Sequence, residues 1–241
     1  MSPGASSRRW WTLAPVLLAS ALMVRLGFWQ LDRLAQRRAA NAQAEARWRA
    51  PRVDLNTATW PDDPSQWALR AAQANGRYAP DRGLAVKNRV FQGQTGLHLA
   101  VPLRLSGRDA YVLVVLGWLP PEEDDPAVWR AYIPAGRVTV RGRLFLPDDG
   151  PPVTPGPGFP RLWYRLDLRA LGTYLDAPLA PWYLMAEPAA GEAPTAKPLR
   201  QPLTLTLSEG PHLGYAVQWF LFAALLPGLW WWQTRARAGR G

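Results

Sequence analysis

Two transmembrane helices flanking an extramembrane domain, itself a mainly antiparallel β-sheet in the form of a curved sheet or a partial barrel, make up the α+β membrane fold that this sequence predicts. Three observations carry the prediction. Leu213 to Trp232 is a run of 20 residues without a charge, and at ~1.5 Å rise per residue such a helix spans ~30 Å, the hydrocarbon thickness of a bilayer. A second apolar stretch lies near the other end, from Trp10 to Leu31. Between Gly76 and Leu207, short apolar runs alternate with Gly and Pro, as strands and turns do.

Taken in order, the first apolar stretch needs the most justification. Trp10 to Val24 would reach only ~22 Å, too short to cross. Extension through Leu31 places Arg25 inside the span, about two turns from its outer end, where the guanidinium can bend to the interface while its stem stays in lipid. The same residues also read as a cleavable signal, with Arg8-Arg9 as the basic region, Trp10 to Leu18 as the apolar region and Ala19-Ser20-Ala21 as the cut site. Against cleavage, apolar residues continue past that site. Residues 26–50 then lack proline, are rich in Ala, Arg, Gln and Glu, and stop at Pro51, so one helix leaves the membrane. The expected division is a tail at 1–9, a span at 10–31, an amphipathic helical extension at 32–50, a β-rich domain at 51–212, a span at 213–232 and a basic tail at 233–241. Both tails are basic, which puts both ends in the cytoplasm and residues 32–212 outside.

Within the β-rich region, Leu84–Val90, Leu97–Leu105 and Tyr111–Trp118 read as three adjacent strands in an antiparallel meander. Val138–Leu146 alternates as a half-buried strand does, and Leu162–Leu168, Trp182–Met185 and Leu203–Leu207 are further strands. One short helix fits within Leu166–Leu175, and 147–160 and 186–202 are proline-rich loops.

Composition removes several functions. The chain has 241 residues, a net charge of +10 and no cysteine, so disulfides, thiolate nucleophiles and iron–sulfur ligation are excluded. Arg8, Arg9, Arg235, Arg237 and Arg240 sit in acid-free tails, and the remaining arginines are interspersed with acids, without the basic stripe of a nucleic-acid module. With only His98 and His212, and no phosphate loop, GxGxxG or HExxH, there is no catalytic constellation. The acidic run Glu122–Asp125 lies between prolines and reads as a solvated loop rather than a cation site. His98 alternates with leucines, on the polar face of a strand, while Trp118 and Trp163 fill core positions.

His212 stands apart because of where it falls. It opens the second span, and the outer end of the first must lie at the same membrane surface. That topology brings Gln30, Arg33 and Arg37 near His212, Tyr215, Gln218 and Trp219. Spacings of three and four place Gln30, Arg33 and Arg37 on one helical face, and His212, Tyr215 and Trp219 on another. A flat, apolar, dianionic cofactor would suit such a cleft, with imidazole to an iron, rings against the macrocycle and guanidiniums to carboxylates. The same residues also read as an interfacial aromatic belt, with arginines that are solvated or bind lipid headgroups.

Several motifs, in their order and spacing, carry a resemblance. These are Leu26-Gly27-Phe28-Trp29-Gln30-Leu31-Asp32-Arg33 after a first span, Gly76-Arg77-Tyr78, Asn88-Arg89 with Gly93 and Gly96, and Pro102-Leu103. Val114-Val115-Leu116-Gly117-Trp118-Leu119-Pro120, Val140-Arg141-Gly142 and a terminal His-x-x-Tyr-Ala-x-x-Trp-Phe follow. Over nearly the whole chain the sequence resembles the surfeit locus protein 1 family, the assembly factors of cytochrome c oxidase. The resemblance implies a non-enzymatic protein of the bacterial inner membrane with a periplasmic central domain. It implies that haem a is bound transiently and passed to oxidase subunit I, with haem a synthase as a further partner. His212 then corresponds to the family's proposed haem-ligating histidine, Tyr215 and Trp219 contact the ring within a cleft that includes Gln30 and Gln218, and Arg33 or Arg37 meets the propionates. Two departures stand out. Val115-Leu116 replaces a polar pair common in the family, and Glu209-Gly210-Pro211 replaces an approach to the second span that is usually rich in Asn. The alternative is a membrane-anchored scaffold for oxidase subunits that never touches cofactor.

Overall fold

The computed structural model describes residues 5–148, 150–151 and 157–238, with the side chains of 11–237 among them. The expectations for the extreme tails, including Arg8, Arg9 and Arg240, and for part of the 147–160 loop therefore fall outside what is described. Along the chain the elements are α1 (Ala5–Arg49), β1 (Val53–Asp54), β2 (Ala71–Tyr78), β3 (Leu84–Phe91), β4 (Gln94–Leu105) and β5 (Tyr111–Leu119). They continue with α2 (Pro126–Trp129), β6 (Arg137–Phe145), β7 (Leu162–Trp163), α3 (Leu168–Gly172), β8 (Leu179–Ala186) and α4 (His212–Ala238). Two compact units result: one combines the residues up to Gln43 with those from Thr206 onward, and the other is Ala44–Leu205.

The first unit is a pair of helices, each long and apolar enough to cross a membrane. The span and the amphipathic extension expected as separate segments form the single helix α1, which ends just before Pro51 because a residue preceding proline is forced out of the helical region. Most of the surface of both helices is exposed, and burial is confined to a stripe: Gly27, Gln30 and Leu34 on α1, Ala216 and Ala223 on α4. Small residues let the backbones approach. A Cβ on Gly27 would lie 2.6 Å from the Phe220 ring, which also meets Phe28 edge-on at 5.3 Å. Further along the pair, Trp230 Nε1 donates to Thr12 Oγ1 at 3.3 Å.

The second unit is an eight-stranded sheet whose ring of pairings closes. Strand order is β1-β2-β6-β8-β5-β4-β3-β7, with an added β2–β4 pairing. The 12-residue β4 makes closure possible. Its Gln94–Ala100 half pairs with β3, and Leu103–Leu105 pairs with Gly76–Tyr78 of β2. At that seam a Cβ on Gly76 would stand 2.1 Å from the Arg104 carbonyl oxygen, so only glycine fits the corner. The sheet is mixed rather than purely antiparallel. β1–β2, β3–β7 and β5–β8 are parallel pairs, and the other pairings, including the expected β3–β4–β5 meander, are antiparallel.

Inside the ring, Leu97, Leu99, Val101 and Leu103 of β4 meet Val112, Val114 and Leu116 of β5, with Trp182 and Leu184 of β8. Trp182 is fully buried, stacks on Trp67 at 5.2 Å and donates to the Pro64 carbonyl at 2.7 Å. On the outer face, Leu84, Val86, Ala100, Leu113 and Val115 are covered by Trp163, Leu166, Leu168 and Leu171. Burial on both faces is why β5 reads as a continuous apolar run. Trp118 and Trp163 are buried as expected.

The structure corrects other expectations. Leu203–Leu207 is not a strand: residues 201–210 carry no sheet pairing. Leu162–Leu168 shrinks to the two residues of β7, and the short helix is Leu168–Gly172, capped by Asp167. The run Glu122–Asp125 is not simply solvated. Lys197 and Tyr132 hold Glu123, Lys87 holds Asp124 at 3.2 Å, and Asp125 caps α2.

His98 does not lie on a solvated face. It is half-buried opposite Val86 and Trp118, and burial, aided by the Arg89 guanidinium, pushes its pKa down to about 4. The folded value lies below the unfolded one of ~6.5, so between these values the unfolded chain takes up a proton that the folded chain refuses. Stability therefore falls as pH drops through this window. Urea unfolding of the barrel, followed by tryptophan fluorescence, should show a loss from pH 7 to pH 5 that is about 1–2 kcal/mol larger in wild type than in His98→Asn. An equal loss in both would remove His98 as the cause. In the helix pair, Gly27→Leu must displace Phe220, so the thermal midpoint of the full chain in detergent should fall by roughly 2–8 °C. Gly214→Leu, at an open position, should leave it unchanged.

Candidate functional site

The contact stripe of the helix pair continues into polar residues, and there the chemistry gathers. Gln30 is buried, and its Oε1 lies 2.9 Å from His212 Nδ1. An amide oxygen only accepts, so Nδ1 is the donor in this contact, and in the neutral ring Nε2 is left with the lone pair. The Cδ2–Nε2 edge of the ring lies beside Gly210, which has no side chain to cover it. An imidazole with one nitrogen held and the other free is the arrangement that metal-ligating histidines adopt.

The chain just before α4 is fastened to α1 by side chains that extend the same stripe. Ser208 O accepts from Arg37 Nε and from Asn41 Nδ2, each at 3.2 Å. Arg38 grips both carboxylate oxygens of Glu209 at 2.9 Å, and this bidentate hydrogen bonding and charge pairing raise the guanidinium pKa and lower that of the carboxyl. Spacings of three and four from Leu34 through Arg37 and Arg38 to Asn41 keep these groups in phase with Gly27 and Gln30. His212 thus enters α4 from a segment already anchored at two consecutive residues.

Of the residues that sequence placed here, Gln30 and His212 meet directly, and Arg37 reaches the approach to α4, where its Nε is taken up by a backbone carbonyl. Arg33 does not reach α4. Its guanidinium lies 5.5 Å from the centre of the Trp29 ring and donates to Gln36 Oε1 at 3.0 Å, both on its own helix. Tyr215 and Gln218 are exposed on α4, and Trp219 is half-buried with its ring edge-on to Phe222 at 6.2 Å. Sequence reasoning missed Arg38, Asn41, Ser208 and Glu209. A signal was present: Glu209 is the only acid after Glu192, and an acid beside a basic helix face seeks a partner.

Among the described residues no group of three or more His, Asp or Glu side chains could hold a metal ion. A single imidazole is too few ligands for a bare ion. It suits a macrocyclic cofactor that brings its own in-plane donors and leaves an axial position free. Tyr215 lies exposed about one turn along α4 from His212, and of Arg33, Arg37 and Arg38 only Arg33 is held by neither α4 nor its approach.

Comparison with known proteins agrees with the motifs. The SURF1 family model matches residues 17–224. An uncharacterised SURF1-like protein of Mycobacterium tuberculosis is 27% identical over 90% of this chain and 80% of its own. SURF1-like proteins of Rickettsia bellii and Rickettsia felis are 25% and 23% identical, over 95% and 88% of this chain and 93% and 91% of theirs. A match that takes in Gln30, the whole barrel and His212 makes this chain a member of the SURF1 family.

Proposed function

We propose that the protein is a membrane-anchored, non-enzymatic assembly factor of cytochrome c oxidase that holds haem a at His212 and helps to load it into subunit I. In this reading α1 and α4 cross the bacterial inner membrane with their basic ends in the cytoplasm, and the barrel is periplasmic. The observation that carries the proposal is the Gln30–His212 hydrogen bond, which fixes one nitrogen and leaves Nε2 as a donor beside a glycine.

Haem a brings an iron with a free axial position and two propionates. His212 would offer the axial donor, Tyr215 and Trp219 the apolar wall, and Arg33 the readiest guanidinium, since it is tied only within α1. Gln30 orients the imidazole, and Arg38 with Glu209 sets where α4 begins. A shallow and partly exposed site suits a carrier that must release its cargo. Haem a synthase is the natural supplier in this scheme and subunit I the acceptor.

The visible spectrum of detergent-purified protein from cells that make haem a tests the assignment. Wild type should carry a Soret band that His212→Ala loses. Equal haem content in both would sink the ligand role, and co-purification of oxidase subunits without any Soret band would favour the scaffold alternative. Gln30→Leu removes the acceptor for Nδ1–H and should weaken haem retention roughly 10–100-fold, while Gln30→Glu keeps an acceptor and should stay near wild type. Retention by Gln30→Leu equal to wild type would discard the orienting role.

A further inference from the structure

A second cavity lies wholly within the barrel unit and plays no part in the helix-pair site. It occupies about 610 Å³ at the mouth formed by the C-terminal ends of β2, β5 and β8 and the first half of β6. We propose that this mouth binds a carboxylate carried on a short apolar body.

The argument starts from which arginines are already satisfied. Arg200 donates to the Leu116 carbonyl and pairs with Glu192 at 2.9 Å, so it is part of the wall. Glu187, the one acid of the lining, faces Arg143 at 3.6 Å. Arg52 and Arg141 also line the cavity, and among the described residues neither side chain makes a hydrogen bond or an ion pair. The Tyr78 hydroxyl likewise has no partner there, and burial pushes its pKa up, against the opposing Arg200 charge, so it remains a donor. Two free planar guanidinium forks and a phenol O–H converge on one space, which is the donor set for a carboxylate. Inorganic phosphate brings no apolar body to cover the Leu116, Val140 and Ala186 part of the wall, and that separates it from such a ligand.

Apart from Thr139, the rest of the wall is apolar. Leu116, Val140 and Ala186 belong to the barrel core and are buried, yet each contributes to the lining. The volume is of the size that small ligands occupy in barrel mouths.

Two of the motifs that carry the family resemblance end here. In Gly76-Arg77-Tyr78 and Val140-Arg141-Gly142 packing explains the glycines, since a Cβ would stand 2.1 Å from Arg104 O at Gly76 and 2.0 Å from Met185 O at Gly142. Tyr78 packs its ring against the barrel core, but among the described residues neither its hydroxyl nor the Arg141 guanidinium has a partner, and a bound carboxylate would supply one to both. That chemistry has two sources, the free C-terminus of a polypeptide and a small free acid.

Calorimetric titration of the full chain in lipid nanodiscs can separate them. The probes are 4-methylpentanoate, the peptide acetyl-Ala-Ala-Leu with a free C-terminus, its C-terminal amide, and inorganic phosphate. At least one carboxylate should bind, with Kd of about 0.1–1 mM, and the amide and phosphate should not. Tighter binding of the peptide acid identifies a chain terminus as the source, and tighter binding of 4-methylpentanoate identifies a free acid. Arg141→Gln should weaken the bound probe at least ~tenfold and Tyr78→Phe a few-fold, with thermal midpoints unchanged. Should Arg141→Gln fail to fold, Arg52→Gln, at an exposed position before β1, reads the same contact. The proposal is overturned if neither carboxylate binds, if phosphate or the amide binds as well, or if affinity survives loss of the guanidinium.

Discussion

A buried amide must find a partner, and this constraint shapes the helical unit. Gln30 is the one buried polar residue among the described residues. Leaving its oxygen unmatched would cost on the order of 1–3 kcal/mol. Only a donor from α4 at the same level can supply the match, and His212 does so at 2.9 Å. One bond therefore fixes several things together: the level of α4 against α1, the nitrogen that carries the hydrogen, and the direction of the free nitrogen. Gly27 against Phe220 makes the close approach possible, and the Arg38–Glu209 and Ser208 contacts carry it past the end of α4. Removing Gln30 would leave the packing stripe in place but not the orientation of the imidazole.

The barrel obeys a different constraint. A sheet of this size with two covered faces has little tolerance for an open edge in its middle, and the β2–β4 pairing removes one. Closure fills the interior with leucines, valines and Trp182, so ligand-sized space is left at an end of the ring. The mouth collects residues far apart in sequence because β2, β5, β6 and β8 all pass it.

Much of this was legible in the sequence, for identifiable reasons. An uncharged run long enough to cross a bilayer marks α4 without further information. The strands β3 to β6 were readable to within a few residues because their apolar runs stop at Gly, Pro and polar turns. Leu203–Leu207 misled because strict alternation specifies a period and not a partner. Ring closure escaped because β2 and β4 meet through a contact that no local pattern announces, although Gly76 marks its place. In the site, Gln30 and His212 followed from topology alone. Arg33 went astray by phase. At 100° per residue it stands about 60° from Gln30 on the Trp29 side, whereas Gly27, Leu34 and Arg38 turn the other way by about 40–80° and Arg37 and Asn41 stay within about 20°. His98 looked solvated because alternation with leucines hides the second layer that covers the outer face of β4.

The net charge of +10 takes on a second meaning once the arginines are followed to their partners. Sequence assigns half of the excess to the tails and treats the remainder as mixed surface. In the barrel unit many of the remaining cations have fixed acids: Arg89 with Asp148, Arg104 with Asp109 and Asp176, Arg130 with Asp81, Arg143 with Glu187 and Arg200 with Glu192. Arg52 and Arg141 do not, nor do Arg77, Arg137 and Arg169, but Arg52 and Arg141 border one cavity. In the helical unit Arg38 takes the only acid of the approach to α4, leaving Arg37 a backbone carbonyl and Arg33 a ring and an amide on its own helix. Guanidiniums gathered beside apolar walls without acids to neutralise them hold a standing attraction for anions. In each unit that attraction lies beside a polar group left without a partner among the described residues, the Nε2 of His212 in one and the hydroxyl of Tyr78 in the other. The charge left over after pairing, rather than the total, is what points to function in this chain.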